Sequence, residues 1–251
     1  MTAILTWLAV VGAFFGAAVA QGASVDFSPT EYKLLSADGS RVIGQAHFGI
    51  TARAGGRELV QGRYRFNDGD YDIDEDWLEM RPGRLPALLT YKHVFFHPDG
   101  SLVRVSEADI ERGHASCTIY VDRRPETQST ELVFPPDVYA GPALILPIRH
   151  SVRSGSKEKA NFHAFSCAPG PKIYAVSGSI ESAVHWRLYS GTVVEVDIQP
   201  DFGPLNFLVA SFLPTVRLWF DPAKDFELVG VESSRYYKGL HFIMMRDVAM
   251  R

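Results

Sequence analysis

The chain has 251 residues, 46% of them apolar and 22% charged, with a formal net charge of −4. That composition suits one globular domain with a sizeable core and excludes a disordered or low-complexity chain. Lysine and arginine are scattered singly, so there is no basic stripe of the kind that holds nucleic acid.

From Ala3 to Ala20 there is no charged residue, and Ile4–Phe15 is apolar apart from Thr6 and Gly12. Ala18-Val19-Ala20 fits the small-x-small cleavage rule, so residues 1–20 are expected to be a signal peptide and 21–251 a single β-rich domain. No Lys or Arg precedes the apolar core, which leaves an uncleaved anchor as the alternative. The expected location is periplasmic or secreted, with no stable membrane span once the signal is removed. The apolar run Leu205–Leu213 is too short to cross a bilayer.

Beyond the signal, alternation and turn signals dominate. Glu31–Leu35 and Arg41–Arg53 read as strands joined at Ala37-Asp38-Gly39-Ser40. Arg57–Phe66, Tyr71–Met80 and Ala87–Phe96 follow, separated by Gly55-Gly56, Asn67-Asp68-Gly69 and Pro82-Gly83. Ser101–Val105 is a strand, Glu107–Arg112 a brief helical candidate, and Ala115–Val121 and Thr130–Phe134 complete the first half. Glu131–His150 holds four of the fifteen prolines and reads as a crossover between two halves. Its pattern predicts a strand end, a stop at Pro135-Pro136, and a short helix. Asp137 or Gly141 is the expected cap, Pro142 lies in the first turn, and Pro147 is expected to kink or end the helix. The second half repeats the style at Asn161–Cys167, Lys172–Val176, Ser182–Tyr189, Thr192–Ile198, Leu205–Leu213, Thr215–Phe220, Phe226–Glu232 and Leu240–Met245. Many short strands with turns every eight to twelve residues predict an all-β fold: a curved antiparallel sheet, half-barrel or barrel, with one or two short helices.

Cys117 and Cys167 are the two cysteines. On an exported chain they are expected to form a disulfide tying the first half to the second. Free buried thiols remain open, and so does zinc, since His114-x-x-Cys117 and His163-x-x-x-Cys167 bring imidazoles near both sulfurs.

The densest chemical pattern is Asp68-x-Asp70-x-Asp72-x-Asp74-x-Asp76-x-x-Glu79. Its carboxylates follow the spacing of a calcium loop, but Ile73 stands where such a loop needs glycine for its bend. The plainer expectation is a strand with the acids on its wet face and Tyr71, Ile73 and Trp77 on the other, with Arg63 and Arg65 neutralising the acids from the preceding strand. No nucleophile elbow, H-E-x-x-H, P-loop or G-x-G-x-x-G occurs, and the eight histidines are dispersed. Ser154-x-x-Lys157 lacks its partner motifs and reads as a solvated turn. No catalytic residue, metal ligand or cofactor is expected from these patterns. Any catalytic set would have to assemble in space.

Aromatic residues are frequent in the strands, and Leu205–Leu213 is apolar on both faces except at Asn206 and Ser211. A strand buried on both faces packs against the core on one side and against a second layer or a ligand on the other. Trp186, Phe207, Phe212, Trp219 and Phe220 are therefore the expected lining of a ligand-binding cavity, with a fully filled core as the alternative.

In the second half, Pro214–Asp221 (PTVRLWFD) followed by Phe226–Glu232 (FELVGVE) resembles a closing hairpin found in uncharacterised exported bacterial β-rich proteins. Tyr32-Lys33-Leu34-Leu35, Gly44 and the Pro135/Asp137/Tyr139/Gly141 cluster are similar too. Such families look like distant relatives of the periplasmic lipoprotein-carrier superfamily. The resemblance, spanning most of residues 30–245, implies a curved half-barrel plugged by short helices over an apolar concave face, and it supplies no catalytic residues. The expected function is a non-enzymatic exported protein that binds an apolar small molecule or envelope lipid. The alternatives are an envelope enzyme with a spatially assembled His/carboxylate site and a structural module without a ligand.

Overall fold

The computed structural model describes residues 30–155, 160–167, 170–201, 203, 216–234 and 241–247. The expected signal peptide and the expected strand Leu205–Leu213 lie outside the described residues. In the first half the strands are β1 (Thr30–Ser36), β2 (Val42–Arg53), β3 (Arg57–Phe66), β4 (Tyr71–Glu79), β5 (Ala87–Phe96), β6 (Leu102–Asp109), β7 (His114–Val121) and β8 (Arg124–Glu131). After the crossover come β9 (Val138–Tyr139), a 3-10 turn at Gly141–Leu144, the helix α1 (Ile145–Arg153), β10 (Ala160–Ser166), β11 (Lys172–His185), β12 (Thr192–Pro200), β13 (Val216–Asp221), β14 (Glu227–Ser234) and β15 (His241–Arg246).

These form one curved sheet in the order β8-β7-β6-β5-β4-β3-β2-β1-β15-β14-β13-β12-β11-β10-β9. The topology is simple. The chain starts at the centre, walks outward strand by strand to β8, crosses to the opposite edge, and walks back until β15 pairs with β1, Leu34 facing Met244. Only β9 and β10 are parallel. The fold is therefore all-β with an open curved sheet, as alternation and turn spacing predict.

The two ends of that sheet approach each other without a ladder between them. Cys117 on β7 and Cys167 just after β10 lie at disulfide distance, with Cα atoms 5.7 Å apart. The Arg104 guanidinium on β6 donates to the Cys167 carbonyl. Tyr139 on β9 donates its hydroxyl to Pro86 O at 2.7 Å, and Tyr91 on β5 meets Phe165 on β10 edge-on at 5.9 Å. Since the cysteines pair with each other, the zinc alternative loses both sulfurs. His114 and His163 instead meet Glu131 at 3.0 Å and Asp137 at 2.8 Å.

Alternation divides the apolar residues into two clusters on opposite faces. Leu34, Leu218, Phe220 and Met244 join the larger cluster, which also receives Ala143, Ile148 and Val152 from the crossover. Their neighbours Leu35, Trp219 and Met245 join a second cluster with Trp186 and Val229. There Trp186 stacks on Trp219 at 4.1 Å, interplanar angle 10°. Gly230 makes this possible, because a Cβ at that position would overlap the Trp186 ring.

Several boundaries differ from the sequence reading. The helical candidate Glu107–Arg112 is the end of β6 through Asp109 and then a turn: Glu107 pairs with Lys92 on one side and Ser116 on the other, so ladders on both flanks override local preference. The expected strand end at Glu131–Phe134 is a loop after Glu131, and the strand before it, β8, is polar and exposed along its length. Lys172–Val176 and the first part of Ser182–Tyr189 belong to one long strand, β11, which ends at His185 and is carried past a bulge between Glu181 and Val184 by Ala183 at φ 62°. In the crossover Ala140, without a side-chain cap, precedes the 3-10 turn. Pro147 does not end the helix: it lies in the first turn of α1, where a backbone N–H has no intrahelical partner to lose.

Candidate functional site

On β4 burial alternates strictly, and it is the acids that point inward. Asp72, Asp74 and Asp76 are 7%, 8% and 0% exposed, while Tyr71, Ile73, Glu75 and Trp77 are half-buried on the outer face. This reverses the expected orientation. The register explains why Arg63 and Arg65 do not neutralise the acids: they pair with Ile73 and Tyr71 on the outer face, whereas Asp72, Asp74 and Asp76 pair with Tyr64, Gly62 and Val60. An extended strand also spreads residues two apart by about 7 Å, so these carboxylates do not wrap one ion as a calcium loop does. Among the described residues no group of three or more His, Cys, Asp or Glu has an arrangement that could hold a metal.

The crossover meets the acids from inside the curve. The 3-10 turn places Ala143 N 2.7 Å from Asp76 Oδ2, and the bond is buried. Gly141 lets the backbone come this close. It has φ +45°, and a Cβ there would stand 2.8 Å from the Tyr91 ring and 3.4 and 3.5 Å from Asp74 Oδ1 and Asp76 Oδ1. On β5, His93 sits opposite Asp74, and its Nε2 is 4.0 Å from Asp72 Oδ2. Asp72 Oδ1 and Asp76 Oδ1 have no hydrogen-bond partner.

Burial controls the protonation of this group. It pushes the Asp74 carboxyl up to about 6, with His93 opposing and Asp72 adding to the rise. It holds Asp76 well above the carboxylate range, helped by Asp74 and opposed by the Ala143 N–H. For His93, burial pulls downward, but the Asp74 and Asp72 carboxylates outweigh it and raise the imidazole. Burial and the nearby aspartates likewise keep the Tyr64 and Tyr91 hydroxyls protonated.

These groups form one wall of a cavity of about 550 Å³. Its acidic pole carries Asp72, Asp74 and His93 with Tyr64 and Tyr91; Gly141, Pro142, Leu144 and Ile145 of the crossover form a lid over part of it. The far wall is apolar and comes from the second half of the sheet, including Phe162, Val176, Ile198, Leu218, Phe242 and Met244. Among the described residues, no Lys or Arg lines it.

Of the aromatic residues expected to line a cavity, Trp186 and Trp219 lie in the cluster on the opposite face. Phe220 is fully buried in the main core and is not among the lining residues. Phe207 and Phe212 lie outside the described residues. The inward turn of the acids has its reason in the register. Every pair in the β3–β4 ladder joins residues of the same parity, so Val60 and Phe66, once placed inward, take Asp72 and Asp76 with them. Among the described residues no helix is long and apolar enough to cross a membrane. No family model, curated protein or solved structure matches the chain.

Proposed function

We propose that the protein is a non-enzymatic carrier that takes the apolar part of a small molecule or envelope lipid into the cavity of the curved sheet. The observation that carries this reading is the cavity itself: about 550 Å³, largely apolar, walled by both halves of the sheet and the crossover. Small-molecule sites usually occupy about 300–1,000 Å³ and combine an apolar lining with a few convergent polar groups. Transfer of a hydrocarbon chain from water would drive binding at about 0.8 kcal/mol per buried CH₂. Export to the periplasm or beyond is part of the proposal, supported by the apolar N-terminal stretch with its Ala18-Val19-Ala20 site and by the cysteine pair at disulfide distance.

The test is to fill the cavity. Ala164 lies on its β10 wall, and Ala164→Trp is expected to weaken binding of an apolar environment-sensitive fluorophore at least tenfold. Undiminished binding in a folded variant would sink the proposal. The approach of His93 to Asp72 and Asp74 favours a second reading, a proton-transfer enzyme acting on an apolar substrate. Recovery of the bound molecule unchanged after long incubation speaks for carriage; its conversion by the native protein but not by His93→Ala speaks for catalysis.

A further inference from the structure

The cavity has one charged end, and its sign is negative. Among the described residues, two aspartates line it, the only imidazole lining it is His93, and no Lys or Arg reaches the lining. The Arg104 guanidinium on β6 lies outside the lining and gives one N–H to the Cys167 carbonyl at the clasp between the sheet ends, from where its charge still acts on His93. A carboxylate headgroup would therefore face two carboxylates with a single imidazole to receive it. A cationic headgroup would find the reverse.

Asp72 makes the polarity specific. It is 7% exposed, lines the cavity, and its Oδ1 has no hydrogen-bond partner. A buried carboxylate oxygen without a donor is costly, and native proteins generally satisfy such groups. The donor that fits is one brought by the ligand, because Asp72 Oδ2 already faces His93. The aromatic rings of Tyr64 and Tyr91 stand at the same pole, and aromatic faces beside a carboxylate are the usual surroundings of a bound ammonium group. A metal ion fits less well, since the acids are strung along a strand and form no metal-holding group among the described residues.

The geometry points to an amphiphile with a protonated amine as the ligand, its ammonium donating to the Asp72 carboxylate beside Asp74 and its apolar body lying against Phe162, Leu218, Phe242 and Met244. This rests on the carrier reading above and adds the chemistry of the headgroup. It has a pH dependence set by the groups facing that pole: Asp72, Asp74, Asp76 and Tyr64 on β3 and β4, Tyr91 and His93 on β5, and Arg104 beyond them on β6. As pH rises from 5 to 7.5, Asp74 ionises, so the pole becomes more negative while a primary alkylamine stays charged.

The experiment compares three ligands of one chain length with the whole protein: n-decylammonium, n-decanol and n-decanoate, by titration calorimetry below their aggregation concentrations. Decylammonium is expected to bind at least tenfold more tightly than decanol at pH 7.5, with decanoate weakest. The preference should shrink at pH 5 and disappear in Asp72→Asn, with near-ultraviolet circular dichroism reporting an intact fold. Asp74→Asn gives a second variant should Asp72→Asn fail to fold. Equal binding of all three, or a preference for decanoate, would overturn the headgroup assignment and leave the carrier reading standing. Binding of none would overturn both.

Discussion

Asp74→Asn tests whether the inward acids are held at the expense of stability. In the unfolded chain the Asp74 carboxyl titrates near 3.8; in the folded protein burial raises it to about 6. The native state therefore binds this proton more tightly than the unfolded chain does. The stability it contributes is fully present below about 3.8 and is lost as pH rises through about 6. The gap of about 2 pH units, at about 1.4 kcal/mol each, is worth about 3 kcal/mol at pH 7. Asparagine resembles the neutral acid in shape and never ionises. The variant should match the native protein near pH 4 and exceed it by about 3 kcal/mol at pH 7, or about 6–12 °C in Tm for a domain of this size. Urea unfolding at pH 4, 5, 6 and 7 reads the difference directly. A gap that does not change with pH, or a variant less stable than the native protein at pH 7, would refute the reasoning.

The clasp between the sheet ends makes a separate prediction. Cys117 and Cys167 are separated by 50 residues, and in the chain-entropy model closing such a loop stabilises by about 4 kcal/mol. Cys117→Ser/Cys167→Ser, or reduction of the native protein, should lower the unfolding free energy by about that amount; an unaltered urea midpoint under reductant would exclude a bridge. On the opposite face, Trp219 is 2% exposed, stacks on Trp186 and donates Nε1–H to Glu195 at 2.7 Å. Trp219→Ala should cost about 3–5 kcal/mol yet leave decanol affinity unchanged in the folded fraction, and weakened affinity in a variant shown to be folded would place Trp219 in the cavity wall.

Much of the fold is legible because period-two patterning and turn chemistry are local. Arg57–Phe66 and Ala87–Phe96 coincide with β3 and β5, and the turn at Asn67-Asp68-Gly69 sets the β3–β4 register. The errors arise where distant partners decide. β8 reads RPETQSTE and lacks any apolar face, and its place comes from pairing with β7 and from the turn made by Asp122 and Arg123 at φ 49° and 64°. The direction in which β4 faces is the consequential case. Hydrophobicity alone sends Asp72, Asp74 and Asp76 outward, because Tyr71, Ile73 and Trp77 alternate with them. What admits the acids is the backbone N–H of Ala143, which lies 67 residues along the chain, and the imidazole of His93. Neither is visible from the strand. The cavity wall is hidden for the same reason: strand alternation separates Leu218 from Trp219 but does not say which is concave.

The buried acids and the clasp belong to one argument. Well-packed apolar side chains at 72, 74 and 76 would stabilise the sheet more than ionisable groups with unsatisfied oxygens. The protein offers Asp76 one backbone donor, places His93 4.0 Å from Asp72, and leaves an oxygen of each aspartate unmet. Core packing does not call for such an arrangement, whereas a cavity that must orient a polar head does. That cavity exists because the sheet is bent until β10 faces β5 and β7, and the contacts across the seam among the described residues include the cysteine pair, Arg104 to Cys167, Tyr139 to Pro86, and Tyr91 against Phe165. Without a ladder joining the terminal strands, the seam is the part of the cavity that opens with the least loss of backbone hydrogen bonding. The acidic pole on β4 and the lid at Gly141–Ile145 meet in the same cavity, so in the proposed carrier the contacts that hold the curve closed would also set how a ligand reaches the carboxylates.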